Sequence, residues 1–447
     1  MCPSTPLETY AEKICTAAKQ ISTWCNENQH PQPSLGPSAS SVTLPPNAPV
    51  KILTARSQLV EAAFKIQQLA IEPNEYLSRQ AVHYQVLASV HWLSHFRIFS
   101  FIPLTGSVPR SEVAALAMVP ENQLKATARM AMTSNLLCEP SPGELAHTAA
   151  SRLFVANPAV LDWALFMAKG SAPTASKMVE ATEKWGATTS MTETAFNVSN
   201  NTTLTFFDYI SQTPDMAKLF VSYMKNVTSS EGTKIDHLIH GYDWASLGKA
   251  TVVDMGGSDC HASVALASAY PDLNFVVQDL PRTIANGPAM LAKQPDSIRT
   301  RIICQEHNFF TPQPVMDADA YFLRMIFHDW PDKEALTILR HLVPVLKARP
   351  FKRSQPNASN VARIIIMDTV LPDPGTCPTT EEALMRVRDL AMLQAFNGKE
   401  RELTDWKNLL AAATAQSGEG AGELELLRVH QPFGSLMSLL EVVFTVS

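Results

Sequence analysis

The 447-residue chain predicts an α/β fold: a doubly wound parallel sheet preceded by an N-terminal all-α region with a winged-helix outline. Three observations lead there. Apolar, β-branched runs occur at Thr251–Met255, Asn274–Gln278, Arg301–Cys304, Ala320–Arg324 and Arg363–Met367, with helical stretches between them. Strands that are apolar throughout are buried on both faces, and their alternation with helices is the pattern of a parallel sheet covered on both sides. Upstream of residue 250 the apolar period is instead helical, three and four residues. Within that region Arg110–Glu139 reads as two short helices and the start of a small wing.

The elements follow in order. Leu7–Asn26 forms an amphipathic helix. Pro31–Pro49 carries six prolines and four serines in nineteen residues, the composition of a linker. From Lys51 to Phe101 the pattern is helical, with Leu59, Ala62, Ala63, Ile66 and Leu69–Ala70 on one face. Ser111 is expected to cap a first short helix, Val119–Pro120–Glu121 to turn the chain, and Asn122–Asn135 to form a second helix. Leu136–Cys138 and His147–Thr148 complete the wing. In the α/β part, Glu334–Lys347 places Leu336, Leu339, Leu342, Val343 and Leu346 on one face. Asn357–Asn360 and Ser417–Gly422 read as surface loops. The expected division is residues 1–50 as helix and linker, 51–158 as the helical winged-helix domain, and 159–447 as the α/β domain.

Composition narrows the function. Hydrophobic residues are 46% and charged residues 17% of the chain, and the formal net charge is −6. That balance suits a globular protein and argues against one that coats nucleic acid or an anionic membrane. The seven cysteines are an odd number with no CxxC spacing, so they read as reduced thiols of an intracellular protein. No secretory signal and no apolar run of membrane-spanning length is evident, and a cytoplasmic location is expected. His91 and His95 lie one helical turn apart, but no third ligand accompanies them, so no metal is expected.

The chemistry centres on Thr251–Pro281. A strand ends at Met255, Gly256 and Gly257 follow, a helix starts near Cys260–Ala262, and a second strand ends at Asp279, 23 residues after Gly256. Such a turn lies at the carboxyl edge of the sheet, where open α/β sheets bind ligands. A dinucleotide-binding G-x-G-x-x-G is not matched by G-G-S-D-C-H, and a G-x-S-x-G nucleophile elbow fails at Cys260. An S-adenosylmethionine site needs an acidic residue at the strand end and a small-residue turn, which Asp254, Gly256 and Gly257 supply. Asp279 is placed to accept hydrogen bonds from ribose hydroxyls. A glycine turn that merely joins strand to helix is the alternative.

Downstream motifs decide between these readings. QDLP at 278–281, FFTPQPV at 309–315, LRMIFHDW at 323–330, the strand ending Asp368–Thr369–Val370–Leu371–Pro372, and FNGKERE at 396–402 follow the glycine turn in that order. Together with Ala146–Phe154 they resemble the plant and fungal small-molecule O-methyltransferase family, from about Lys51 to the C-terminus. The resemblance implies a Rossmann-like class I methyltransferase domain behind a winged-helix dimerisation domain, and a homodimer.

It also implies roles. His328 would be the general base, for which a neutral imidazole titrating near working pH is suited. Asp368 and Glu400 would orient it. Trp330 would stack on adenine, and Asp254, Gly256, Gly257, Asp279, Leu280, Asn308, Phe309 and Arg324 would complete the cofactor site. Arg324 reads equally as a plain surface arginine, and Asp329 is assigned no chemistry. Two positions depart from the family: Cys260 stands where glycine is usual, and a Cβ there crowds the cofactor if φ is positive. Asn308 stands where aspartate is usual. Met191, Phe196, Phe207, Phe220, Met224, Met392 and Phe396 are candidates for an acceptor pocket.

The leading expectation is transfer of a methyl group from S-adenosylmethionine to a hydroxyl of an aromatic or polyketide-like small molecule. The second is a methyltransferase-fold pericyclase or dehydratase that binds the cofactor without consuming it. The third, a winged-helix DNA-binding regulator, is disfavoured because the candidate recognition helix carries only Lys125 and Arg129 as cations. No nucleic acid and no membrane is expected as a partner.

Overall fold

The computed structural model describes residues 4–36, 38–352, 361–415 and 422–446. The expected loops at Asn357–Asn360 and, but for Gly422, at Ser417–Gly422 lie outside them. The chain divides into two compact units. One comprises Met1–Pro173, Ile210–Asn226 and Pro378–Thr380; the other comprises Thr174–Tyr209, Val227–Cys377 and Glu381–Ser447.

In the first unit, α1 (Pro6–Glu27) is opened by a Thr5–Glu8 capping box, and α2 (Val50–Ala70) packs on it. The two bury Ala17, Ile21, Cys25, Ile52 and Ala55 together. The C-terminal half of the α2 face is less buried than its periodicity predicts, and Leu69 is exposed. Next come α3 (Tyr76–His95), α4 (Arg110–Leu116) and α5 (Glu121–Met132). Strands β1 (Val108–Pro109), β2 (Leu137–Cys138) and β3 (Glu144–His147) form a three-stranded wing with β3 in the middle.

Two boundaries differ from expectation. Ser111 does not cap α4. The helix begins at Arg110, and Arg110 N–H donates to the Gly143 carbonyl of the wing (2.8 Å). Helix α5 stops at Met132 because Asn135 turns left-handed at φ 59° and Leu136 N–H returns to the Ala131 carbonyl. Of the two cations on α5, Arg129 is engaged by Glu139 (2.8 Å), whose carboxyl is pulled down to about 2.

The second unit contains the sheet. Its strands are β4 (Ala250–Met255), β5 (Leu273–Asp279), β6 (Ile302–Glu306), β7 (Ala320–Arg324), β8 (Phe351–Lys352), β9 (Arg363–Asp368), β12 (Glu423–His430) and β13 (Ser438–Val446). Short strands β10 (Val370–Leu371) and β11 (Arg401–Glu402) pair apart from it. The order is β12-β13-β9-β7-β4-β5-β6, with β8 beside β13. Strands β6, β5, β4, β7 and β9 are parallel, as the apolar runs predict. The antiparallel pair β12–β13 extends the β9 edge and adds to the expected parallel sheet.

Alternate residues of each central strand enter opposite cores. Val253, Tyr321, Leu323, Ile364 and Ile366 join one cluster, with helices α7 (Asp332–Ala348) and α9 (Leu403–Thr414). Val252, Ala320, Phe322, Ile365 and Met367 join the other, with α6 (His261–Ala269). Strands buried on both faces have no polar side, which is why their sequences are continuously apolar. The chain runs outward from β4 through β5 to β6, then returns to β7 on the other side of β4. That reversal opens a crevice at the carboxyl ends of β4 and β7.

Candidate active site

The crevice gathers most of the residues that the sequence singles out. Asp254, the penultimate residue of β4, is buried, and its Oδ2 accepts a hydrogen bond from Ser263 (2.6 Å). Burial raises this carboxyl to about 6. Gly256 and Gly257 follow, and both N–H groups donate to the Gln278 carbonyl (2.7 and 3.2 Å), tying the turn to β5. Gly256 has φ 76°, and a Cβ there would lie 2.5 Å from Ile326 Cδ1, so glycine is required on both counts. Asp279, at the end of β5, accepts Ser258 N–H (2.9 Å) and Leu280 N–H (2.7 Å). Two of the four lone-pair sites of its carboxylate are thus used within the turn. Leu280 beside it is half exposed.

The two departures are resolved locally. Cys260 does adopt a positive φ, 69°, as the first residue before α6. Its thiol is buried 3.5 Å from Cys304 Sγ, so the side chain is spent on packing against β6. Asn308 Oδ1 accepts Phe310 N–H (3.0 Å), which commits its carbonyl to the loop. That loop sets Phe309 and Phe310 edge-on to Trp330, with ring centroids 5.9 and 4.7 Å away.

A second cluster stands at the ends of β7 and β9. His328 lies in a 3₁₀ turn, Phe327–Asp329, and is buried. Its Nδ1 is 2.9 Å from Glu400 Oε1. A carboxylate can only accept, so Nδ1 carries the proton and Nε2 of the neutral ring is left as the acceptor. Burial disfavours the imidazolium, but Glu400, Asp329 and Asp368 outweigh it and raise His328 to about 9. Burial likewise works against the Glu400 charge, yet His328 and Arg388 hold that carboxyl below its ordinary range.

Asp368 differs from its expected role. It does not bond the imidazole; its Oδ2 accepts Phe327 N–H (3.2 Å) and so holds the turn rather than the ring. Asp329, to which the sequence assigns no chemistry, has Oδ1 3.6 Å from His328 Nε2, and burial raises its carboxyl to about 6.

Two residues that the sequence reading missed fix this turn. Arg401 is fully buried; its Nη1 donates to the Phe327 carbonyl (2.6 Å), and its Nη2 donates to the Trp330 carbonyl and Asp332 (both 2.9 Å). Gly398 brings the 396–402 loop against the turn: a Cβ there would lie 2.3 Å from the His328 carbonyl oxygen. The signal was in FNGKERE itself, where glycine and arginine flank the glutamate. Arg324 donates from Nη2 to the Thr233 carbonyl (2.7 Å), and burial and Arg388 lower it to about 10.

Three buried polar atoms have no hydrogen-bond partner here: Arg324 Nε, Asp368 Oδ1 and Glu400 Oε2. Orphaned buried polar atoms are uncommon, and within a crevice a ligand or water is one partner that would satisfy them. An arginine with an orphaned donor, a glycine turn and a strand-end carboxylate suit the amino-acid and ribose parts of S-adenosylmethionine, so the residues fit that group. Among the described residues, no group of three or more His, Cys, Asp or Glu is arranged to hold a metal ion.

Of the acceptor-pocket candidates, Phe196, Phe207 and Phe396 join Phe206 in an aromatic cluster of the second unit, with Phe207 and Phe396 5.3 Å apart. Phe220 belongs to the first unit, beside Phe166.

Gly398→Ala is expected to push the loop off the His328 turn, lowering stability by about 1–3 kcal/mol and turnover by more than the stability loss explains. Urea unfolding combined with steady-state rates on the folded fraction checks this.

Residues 185–416 match the family model of the O-methyltransferase domain, and residues 4–71 match that of the trypacidin cluster transcriptional coactivator tpcD N-terminal domain. The chain is 49% identical over 444 residues to the O-methyltransferase VdtC of Byssochlamys spectabilis, covering 98% of each chain. It is 44% identical over 440 residues to the O-methyltransferase aurJ of Gibberella zeae, covering 97% of this chain and 96% of the relative. Among solved structures, OxaC aligns with a TM-score of 0.72 at 20% identity over 98% of each chain. A pericyclic reaction enzyme aligns at 0.68 and 22% identity, over 88% and 94%. At these identities the solved structures share the fold, and the expected fold class holds. The family resemblance read from the ordered motifs is borne out: the chain belongs to the O-methyltransferase family, enzymes whose methyl donor is S-adenosylmethionine.

Proposed function

We propose that this enzyme methylates a hydroxyl of an aromatic or polyketide-like secondary metabolite, with His328 as general base. The observation that carries this reading is the His328 Nδ1–Glu400 hydrogen bond of 2.9 Å, which leaves Nε2 as the one ring atom able to take a proton. Asp254, Gly256, Gly257, Asp279, Leu280, Asn308, Phe309, Arg324 and Trp330 would hold S-adenosylmethionine. When bound, that cofactor supplies an electrophilic methyl group on a sulfonium. Every other task falls to the chain.

His328 Nε2 accepts the hydroxyl proton as the acceptor oxygen becomes nucleophilic. Glu400 steadies the imidazolium that results, and Asp368 keeps the 3₁₀ turn in place through its backbone. Positioning contributes beside proton transfer, because orienting two reactants replaces a costly encounter. The half-buried Trp330, packed edge-on against Phe309 and Phe310, would cover one side of the bound cofactor. Phe207 and Met392 offer apolar surface for an aromatic acceptor, backed by the buried Phe196 and Phe396.

We assign dimerisation to the winged-helix domain, residues 51–158, on the strength of its exposed apolar side chains. Tyr76, Leu77 and Tyr84 of α3 are 63%, 77% and 61% exposed. Light scattering should give twice the 49.0 kDa chain mass; a mass of one chain contradicts the assignment.

The test of function is mass spectrometry of the protein with S-adenosylmethionine and a panel of phenolic and polyketide acceptors. A methylated product and S-adenosylhomocysteine should appear in equal amounts. An isomerised or dehydrated product with the donor unconsumed would replace this reading by a pericyclase or dehydratase.

His328→Ala should lower kcat by about 10²- to 10⁴-fold. The base works only when neutral, and its folded value is raised to about 9, so kcat/KM should climb with pH, reach half its plateau near 9 and level off above that. In Glu400→Gln the acid limb should move down towards the ordinary histidine range, because the charge that raises it is gone.

A further inference from the structure

We propose that Arg388 is a specificity-determining residue. Its outer guanidinium edge binds a second oxygen of the acceptor, beside the hydroxyl that His328 deprotonates. The enzyme then selects aromatic acceptors in which two oxygens lie side by side. This rests on the reading of His328 as base.

Arg388 lies on helix α8 (Thr379–Phe396). Its Nε donates to Thr369 Oγ1 (3.0 Å) and to Glu400 Oε1 (3.2 Å). The second of these is the same oxygen that takes His328 Nδ1, so guanidinium and imidazole are held next to each other. The two Nε contacts pin the guanidinium plane.

What the arginine leaves unused is informative. Arginine–carboxylate pairs are frequently bidentate, with two parallel hydrogen bonds. Here Glu400 Oε2 is buried with no partner, while neither Nη of Arg388 donates to any described residue. The Nη atoms are also absent from the buried unsatisfied atoms, and the side chain is 15% exposed, so that edge reaches accessible space. Two fixed N–H donors on a cation that cannot lose its proton suit an oxygen carrying negative charge. A phenolate, an enolate or the carbonyl of a hydroxy-ketone qualifies.

The surroundings agree. Met392 and Phe396 lie one and two turns further along α8, and Phe396 packs against Phe206 and Phe207. In the proposed pose a flat acceptor lies against Phe207 and Met392, which are not buried, with its oxygens towards the base and the cation. Charge-assisted hydrogen bonding to a neighbouring oxygen also makes the reacting hydroxyl more acidic and selects which hydroxyl reacts.

The probes are 1-naphthol and 1,8-dihydroxynaphthalene, titrated calorimetrically with S-adenosylhomocysteine present so that no turnover intervenes. Wild type should bind the dihydroxy probe about tenfold tighter or better, the scale of one charged hydrogen bond. Arg388→Met should bind both alike. Arg388→Lys, which keeps the charge beside Glu400 but loses the fork, should fall between. His328→Ala should keep the wild-type ratio. An unchanged ratio in Arg388→Met, or no preference in wild type, including no binding of either probe, overturns the proposal. Failure of His328 as base would show separately, as retained turnover in His328→Ala with the binding ratio intact. A merely structural arginine would weaken both probes equally.

Discussion

The hydrogen bond from His328 to Glu400 is the constraint around which the active site is arranged. It buries a titratable ring against a carboxylate with almost no water to share the charge. In that setting an unpaired charge is costly and a paired one strong. One bond therefore fixes three properties together: which nitrogen carries the proton, where the other points, and how basic it is. Glu400 is held in turn by Arg388 through its side chain and by Asp389, which accepts its backbone N–H (3.0 Å).

The fold delivers the partners of this bond from distant parts of the chain. His328 follows β7, Asp368 ends β9, and Glu400 precedes β11. Adjacent parallel strands end at the same edge, so His328 and Asp368, forty residues apart, are brought together by the sheet, while Glu400, 72 residues from His328, is delivered by the 396–402 loop. The last approach is made by backbone. Arg401 grips the carbonyls on either side of His328, Asp368 takes the Phe327 N–H, and Gly398 lets two stretches of main chain touch. The base is thus set on a turn clamped from several directions. Catalytic groups need such placement to within fractions of an ångström. The glycine turn after β4 follows the same logic: its N–H groups are tied to β5, and its missing Cβ leaves room for Ile326.

Much of this was legible in the sequence. The central strands β4, β7 and β9 were visible because burial on both faces leaves their middles apolar, and β5 and the edge strand β6 because apolar residues still dominate their runs. The switch-point turn was visible because Gly256 and Gly257 fall between a strand and a helix. His328 and Glu400 came from ordered motifs. What was not legible is where side chains point. Nothing in HDW tells that Asp329 lies near Nε2 while Asp368 turns to backbone. Nothing in the residues around Cys260 tells that it would accept a left-handed conformation and bury its thiol against Cys304, 44 residues away. The edge pair β12–β13 escaped notice for a different reason: β12 alternates weakly, and β13 is an apolar run interrupted by Glu441, which is matched by Arg363 and Tyr242 across the sheet. Caps were misplaced where a tertiary carbonyl, that of Gly143, took the place of a side chain.

The most direct measurement is ¹⁵N NMR of the His328 imidazole as a function of pH, assigned by comparison with His328→Gln. The account predicts a neutral form protonated at Nδ1, and a midpoint displaced above the ordinary histidine value that falls back in Glu400→Gln. A neutral ring protonated at Nε2, or a midpoint at or below the ordinary value, would contradict it, because the nitrogen facing the acceptor could then not take a proton.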